Sequence, residues 1–515
     1  MIRRGIYSPD LNPFINQESA ARAKSATAVA PLDALRAIAV PAAPLRIIIV
    51  GAGLAGLCAA YELEQLGHEV VILEADASHI GGRVRTLRFD GGLYGEAGAM
   101  RIPKSHLITR HYVNRFKLQL RKFVQSNDEA YYFIRGQRVR LKDEELLKRL
   151  FCLTQAEQGM SLGDMWKLGL VRVLEGLIKQ ELDDLDSNVL DTAMVRALDQ
   201  RTLQQLLEVA GLSEEAIDFL TSTWGYETSL PTASTELLRE ELKAVWTPDF
   251  DEIVGGTDLL ARAFADHLKS KPRNGCEVVR LEQDVGKRKT SAIYRASGSQ
   301  SLTREEGDFL LCTLPLPVLT RLEVAPPFSG QKQQAIRQIN YDSSTKVLAI
   351  AKHRFWEQDD KIFGGGSSTD QPTGFTYYPS DNANDKDPGV SAARAVLLAS
   401  YTWGQPARRL AALPESHVKD FIVRNMAHLH PQVAHDDLVE KTIRWSWDNF
   451  KWSGGAFAWF QPGQHTALHK DLVKPEGRIF LAGEHTSLTH TWMQGALESA
   501  QRAVSEMIIA AGATP

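Results

Sequence analysis

The sequence predicts a mixed α/β fold in which a Rossmann-like unit opens near residue 45 and is completed by segments hundreds of residues later. Three observations carry that expectation. Residues 45–76, LRIIIVGAGLAGLCAAYELEQLGHEVVILEAD, pass from a β-branched run through a glycine turn and an amphipathic stretch to a second β-branched run, the pattern of a βαβ unit. Residues 141–245 are Leu-rich at helical spacing. Strand-like runs bounded by turn residues then return through the second half of the chain.

Taken in order, residues 1–44 are punctuated by Ala and Pro and show no strong periodicity. Ile47 to Val50 form the first strand, and Gly51, Gly53 and Gly56 follow in the G-x-G-x-x-G spacing, with Ala55 between them. The first glycine permits the tight turn, the second lets the backbone touch a pyrophosphate, and the third lets helix and strand pack closely. The helix that follows presents unpaired N–H groups and a partial positive charge to the phosphates. Val70 to Leu73 form the second strand, and Glu74 ends it 23 residues after Gly51, where a carboxylate accepts hydrogen bonds from a ribose diol and disfavours a 2′-phosphate. Ordinary βα turns also carry glycines; the order strand, glycines, helix, strand, acid points to a dinucleotide cradle.

GGRVRT, residues 81–86, sets Gly82, Arg83 and Arg85 a short loop beyond Glu74, where arginines can neutralise a pyrophosphate; without context this is equally a solvated basic loop. GEAGAMRIPKSH, residues 95–106, places Arg101 directly after Gly95, Ala97, Gly98, Ala99 and Met100, and such small-residue runs let a backbone approach a flat ligand. Within the helical block, Thr202 and Gln205 form a capping box and Gly211 ends the helix. CEVVRLEQD (276–284), DFLLCTLPLPVL (308–319), TKVLAIAKHRFW (345–356) and AVLLASYTWG (395–404) read as strands, as does GRIFLAGEHT (477–486), while GALESAQRAVSEMIIAA (495–511) reads as a helix. GGGSSTDQPTG (364–374) reads as a surface loop. A metal reading of His428, His430 and His435 would need an acidic or further histidine partner on a fixed scaffold; a polar helix end or loop is the plainer reading, so no metal is expected.

A chain of 515 residues exceeds one hydrophobic core and points to two or three domains. A net charge of −4 provides no basic field for nucleic acid or anionic lipid, and no apolar run reaches the ~18 residues of a membrane helix. Cys58, Cys152, Cys276 and Cys312 are widely spaced and read as buried structural thiols. A cytoplasmic enzyme with small-molecule partners is the default, a trimmed or unusual leader remaining open.

The stretches IIIVGAGLAGLCAAYELEQLGHEVVILEA, GGRVRT, YGEAGAMRIP and GRIFLAGEHTS resemble, in order and spacing over residues 45–510, the flavin-containing amine oxidase family, and GAMRIP resembles its L-amino acid oxidase branch. The resemblance implies an FAD-binding domain from residues 45–95, 250–325 and 441–515, a mixed-sheet substrate-binding domain from 96–140 and 326–440, and a helical domain over 141–249, with 1–44 as an N-terminal extension. It implies that Glu484, after Gly483, holds the FAD ribityl chain, that the Val278 backbone meets the adenine, and that Trp445 sits beside the isoalloxazine, Trp447 being the neighbouring alternative. Gly51, Gly53, Ala55, Gly56, Glu74, Gly82, Arg83, Gly98, Ala99 and Met100 complete the cofactor set. Some relatives attach flavin through a cysteine near the counterpart of SGGAF (453–457); with no cysteine after Cys312, FAD is expected to be non-covalent.

A guanidinium is a planar fork matched to a carboxylate. The resemblance implies that Arg101 binds the substrate carboxylate with help from Tyr401, and that HTW (490–492) closes over the amino group. Here Thr491 precedes Trp492 where relatives carry Gly, and its side chain narrows the pocket. A lysine alternating with apolar residues is ordinarily solvated; the resemblance instead aligns Lys346 with the lysine that holds a water beside the flavin and assists the return of electrons to oxygen. Trp224, Glu227 and Tyr377 are candidates for the far wall. Aromatic walls suit bulky apolar or aromatic side chains, whereas an inward Glu227 would favour lysine or arginine; an outward glutamate is commoner, so a broad, apolar-biased range is expected. The implied reaction is oxidative deamination of L-amino acids by oxygen; a homodimer or higher homo-oligomer is expected only because it is the commonest closed assembly. The alternatives are an amino-acid 2-monooxygenase, a carboxylate-independent amine oxidase, a quinone-linked dehydrogenase and a flavin-loaded interaction module.

Overall fold

In the computed structural model, which describes residues 43–247 and 249–512, strand Arg46–Val50 lies inside a four-stranded parallel sheet. The order across the sheet is Glu69–Leu73, Arg46–Val50, Phe309–Cys312, Ile479–Leu481, with Ile47 opposite both Val70 and Phe309. Parallel strands covered on both faces become continuous aliphatic runs, and alternate residues here go to different cores. Ile47, Ile49, Val70, Ile72 and Phe309 pack against helices Leu54–Gln65 and Met493–Ala510. Ile48, Val50, Val71, Leu73 and Leu310 pack toward the four-stranded sheet that contains Cys276–Asp284 and Lys289–Ala296.

A seven-stranded mixed sheet runs in the order Val439–Ser446, Ser344–Ala351, Ala395–Trp403, Phe375–Tyr378, Gly365–Thr369, Tyr131–Ile134, Gln137–Arg140. Its register sets Lys346 opposite Tyr401 on one side and Trp445 on the other. The division expected at 441 falls inside Val439–Ser446, which belongs to this sheet. Phe250–Ile253, expected with the cradle, pairs with Ile102–Pro103 and Leu120–Phe123.

The GGGSSTDQPTG segment is not a surface loop: Gly365–Thr369 is a buried strand. Its small residues fit where larger ones would not, since a Cβ on Gly366 would lie 2.9 Å from the Tyr377 ring and one on Gly365 2.5 Å from Asn127. Helices between Gln155 and Leu242 form the helical block, including the Thr202–Gln205 capping box, whose two hydrogen bonds are each 3.0 Å. The expected extension lies outside the described residues up to residue 42. Cys152 is exposed, whereas the other three cysteines are buried thiols. Among the described residues no helix is long and apolar enough to cross a membrane.

Candidate active site

One long cavity runs from the glycine turn to the seven-stranded sheet, with the cradle residues at one end and Arg101, Lys346 and Tyr401 among its lining at the other. Gly51 adopts φ +102°, and a Cβ on Gly56 would lie 2.0 Å from the Gly51 carbonyl oxygen, so both must be glycine. Gly53 differs: a Cβ there meets nothing within 4 Å, and it fronts the cavity. The helix that starts at Leu54 has no side-chain cap and no acidic residue in its first turn. Free N–H groups at a bare, cavity-facing helix end form an anion site, so these residues fit the diphosphate of a dinucleotide.

Glu74 lines the cavity and accepts hydrogen bonds from the Ala52 N–H (2.7 Å) and Asp76 N–H (2.8 Å). Burial pushes its carboxyl up despite these donors. Arg83 donates to Glu484 Oε1 (2.7 Å) and to the Ala456 carbonyl (3.0 Å). Glu484 also accepts from the Ala458 and Thr491 N–H groups. Burial works to raise the Glu484 carboxyl, yet Arg83 and the neighbouring histidines bring it below its ordinary range. Arg85 pairs with Asp76 at 2.7 Å and stacks over the Trp445 and Phe450 rings.

At the other end, the Arg101 side chain is buried, 7% exposed, and ringed by Trp246, Phe250, Tyr377, Phe123 and Trp492 at 5.0–5.9 Å. It donates to Tyr377 Oη at 3.3 Å, and among the described residues no carboxylate lies within ion-pair distance. Lys346 is buried, donates to the Gly98 carbonyl (2.6 Å) and Glu96 carbonyl (3.2 Å), and sits 4.4 Å over the Tyr401 ring. Burial drives its ammonium well below the usual lysine range, opposed by Glu96 and reinforced by Arg101. Burial also raises the Tyr401 phenol.

The cavity brings together Gly51, Gly53, Ala55, Glu74, Gly82, Arg83, Gly98, Ala99, Met100, Arg101, Val278, Lys346, Tyr401, Gly483, Glu484, Thr491 and Trp492. Five expected residues stand outside it, Gly56 among them, packed against the Gly51 carbonyl. Trp445 stacks beneath Arg85, while Trp447, just past the strand end, lines the cavity and donates to the Ala97 carbonyl at 3.0 Å. Tyr377 stands behind Arg101 rather than on a far wall. Trp224 is buried in the helical block near Trp166, and Glu227 is exposed. His430, expected at a polar edge, is fully buried between Asp360 (2.7 Å) and Tyr378 (2.7 Å). Among the described residues no cluster of His, Cys, Asp and Glu could hold a metal.

Sequence reasoning missed three carboxylates in the cavity, Asp76, Glu240 and Asp342, and the wall residues Trp246, Trp403, Phe457 and Trp459. Glu240 accepts from the Trp246 indole (2.6 Å) and the Trp492 indole (3.1 Å). Asp342 stands four residues before Lys346, a spacing that was readable once Lys346 had been singled out. Thr491 has φ +70°, a left-handed conformation that is strained for a β-branched residue.

The profile of a family described as flavin containing amine oxidoreductase matches residues 54–508. An L-amino-acid oxidase of Siganus canaliculatus is 33% identical over 474 residues, which cover 90% of this chain and 85% of that protein. A putative L-amino-acid oxidase of Bacillus subtilis (strain 168) is 33% identical over 478 residues, covering 90% and 95%. Among solved structures, a putrescine oxidase with putrescine superposes with a TM-score of 0.70 at 20% identity, over 91% of this chain and 100% of its own. The cyclohexylamine oxidase of Brevibacterium oxydans IH-35A gives 0.69 at 19%, over 91% and 100%. At those identities the two structures show a shared fold.

Proposed function

The chain belongs to the flavin-containing amine oxidoreductase family, and from that premise we propose that it is an FAD-dependent L-amino-acid oxidase, converting an L-amino acid, oxygen and water to a 2-oxo acid, ammonia and hydrogen peroxide. The observation that carries this reading is Arg101. A buried charge without a counter-ion is costly, and here a planar two-pronged cation lines a cavity in which, among the described residues, no carboxylate pairs with it. A substrate α-carboxylate supplies the missing anion through two charge-assisted hydrogen bonds; a plain amine cannot.

When bound, FAD supplies the acceptor for the Cα hydride and later the two electrons that go to oxygen. The bare helix end at Gly53 and Leu54 holds its diphosphate, Glu74 and Val278 hold the adenosine end, and Glu484 with Arg83 holds the ribityl side. Trp447, which lines the cavity where Trp445 does not, would flank the ring. Arg101, assisted by Tyr401, fixes the substrate carboxylate, which decides which substituent of Cα faces the cofactor and so selects L over D. Thr491 and Trp492 close the side nearest the amino group, which must be uncharged before its lone pair can support the developing iminium. Lys346 holds a proton at Nζ close to the reacting centre and assists the oxygen step. Trp246, Trp403, Phe457 and Trp459 form walls that favour bulky side chains over small ones.

The FAD is held non-covalently: residues 453–457 contain no thiol, and the cavity thiol, Cys276, receives its position at the ribose end, where its N–H donates to the Glu74 carbonyl. Four unpaired thiols suit a reducing compartment such as the cytoplasm, and a homodimer is the commonest closed assembly. Oxygen consumption by the yellow holoenzyme tests the reading. L-Amino acids should be consumed with release of peroxide and 2-oxo acid, and their D forms and decarboxylated amines should not. Equal turnover of phenethylamine and L-phenylalanine would remove Arg101 from its role, and an amide product would mark a monooxygenase.

A further inference from the structure

We infer that the side-chain end of this cavity is built for an L-amino acid with a terminal cation, anchored by the Asp342 carboxylate. This rests on the oxidase reading above and names its substrate class.

Asp342 mirrors Arg101. Its Oδ1 accepts the Ser343 N–H at 2.8 Å, and among the described residues nothing donates to Oδ2. The nearest guanidinium, that of Arg408, is directed to Ser343 Oγ at 3.0 Å, whose hydroxyl in turn donates to Asp448 Oδ1 at 2.7 Å. Among the described residues no lysine or arginine reaches Asp342 within ion-pair distance. A half-buried carboxylate in that position is costly unless a ligand brings the cation. Its carboxyl accordingly stands near 6, raised by burial and by Asp448 against the pull of the Ser343 N–H and Arg408.

The placement suits a long side chain. Along the seven-stranded sheet, Lys346 pairs with Tyr401 and Ser344 with Trp403, so Asp342 lies at most roughly 13 Å of strand from Lys346, at ~3.3 Å per residue. Beside it the chain turns at Gly404, with φ +55°. A Cβ there would stand 3.8 Å from Asp342 Oδ1 and 3.4 Å from Thr228 Cβ, so the bare glycine keeps room next to the carboxylate. Between the two ends, Trp403, Phe457 and Trp459 offer aromatic faces to a methylene stem and to the cation at its tip. An uncharged side chain of equal length would strip water from Asp342 and leave it unpaired, and sites built to pair a polar group reject analogues that lack it.

The test uses FAD-loaded enzyme and oxygen consumption with L-lysine, L-arginine and L-norleucine, the last carrying lysine's four-carbon stem without its terminal ammonium. The inference expects kcat/KM for lysine or arginine to exceed that for norleucine at least tenfold. Asp342→Asn should lower that ratio at least tenfold, mostly through KM. In the parent enzyme the ratio should fall as pH drops through about 6, because Asp342 takes up a proton below its pKa and loses the charge that attracts the ligand, with Arg408 and Asp448 as the facing ionised groups. Norleucine used as well as lysine and arginine by the parent enzyme would overturn this inference alone, whatever the variant does. Failure to oxidise any L-amino acid would overturn the oxidase reading and this inference with it.

Discussion

The two ends of the cavity handle charge in opposite ways. At the cofactor end each arginine has a carboxylate partner: Arg83 on Glu484 and Arg85 on Asp76, both at 2.7 Å, with Glu74 held by two backbone N–H groups. At the substrate end Arg101 and Asp342 have no counter-ion among the described residues. Internally paired charges fix the shape of a protein and are spent in doing so. Unpaired ones store a desolvation cost that only a complementary ligand relieves. The cofactor end is therefore a finished scaffold, and the substrate end is a template for something that carries both signs.

This contrast sets the order of expected effects. Arg101→Met should be the most damaging, because removing one member of a buried charge pair costs about 2–5 kcal/mol, or roughly thirty- to several-thousand-fold in kcat/KM for L-amino acids. The protein should remain yellow, which absorbance at the flavin bands will check, since Arg101 takes no part in the paired scaffold. Lys346→Met should slow reoxidation by about 10²-fold, within the range of general acid–base contributions, while anaerobic reduction by substrate changes little; stopped-flow mixing separates the two half-reactions. Burial lowers the Lys346 ammonium, so its positive charge is lost on the alkaline side and the parent's oxygen step should weaken as pH rises. Thr491→Gly should have the smallest effect and the opposite sign. It relieves a β-branched residue at φ +70° and should stabilise the holoenzyme by about 1 kcal/mol, read from thermal unfolding.

The cofactor end was legible because it is local. Strand, glycine turn, helix, strand and acid follow one another within residues 46–74, and Gly51 and Gly56 each have a backbone reason to be there, while Gly53 fronts the cavity. Arg101 and Lys346 were legible through short motifs that keep their neighbours. What escaped was set by distant chain. Trp447, not Trp445, lines the cavity because the strand ends at Ser446 and the chain then turns inward. Glu240 reaches the cavity from a helix in the helical block, and its role is visible only once Trp246 and Trp492 converge on it. Glu227 was a candidate for the far wall with an outward side chain the commoner case, and its short turn does leave it exposed, while Thr228 and Ser229 face in. The Gly-Ser run at 364–369 looked like a loop because its strand character comes from packing beneath larger neighbours, which propensity does not register.

The parallel sheet beneath the glycine turn has one more consequence, for how the protein is made. Strand Arg46–Val50 leaves the ribosome about 260 residues before its neighbour Phe309–Cys312, and Ile479–Leu481 follows later still. At a synthesis rate of roughly 5–20 residues per second the first edge waits about 13–50 s without its partner. A nascent chain stopped before residue 309 would carry the glycine turn on an open, sticky sheet margin. Expression yield should therefore depend on chaperone supply during translation far more than on the stability of the finished enzyme.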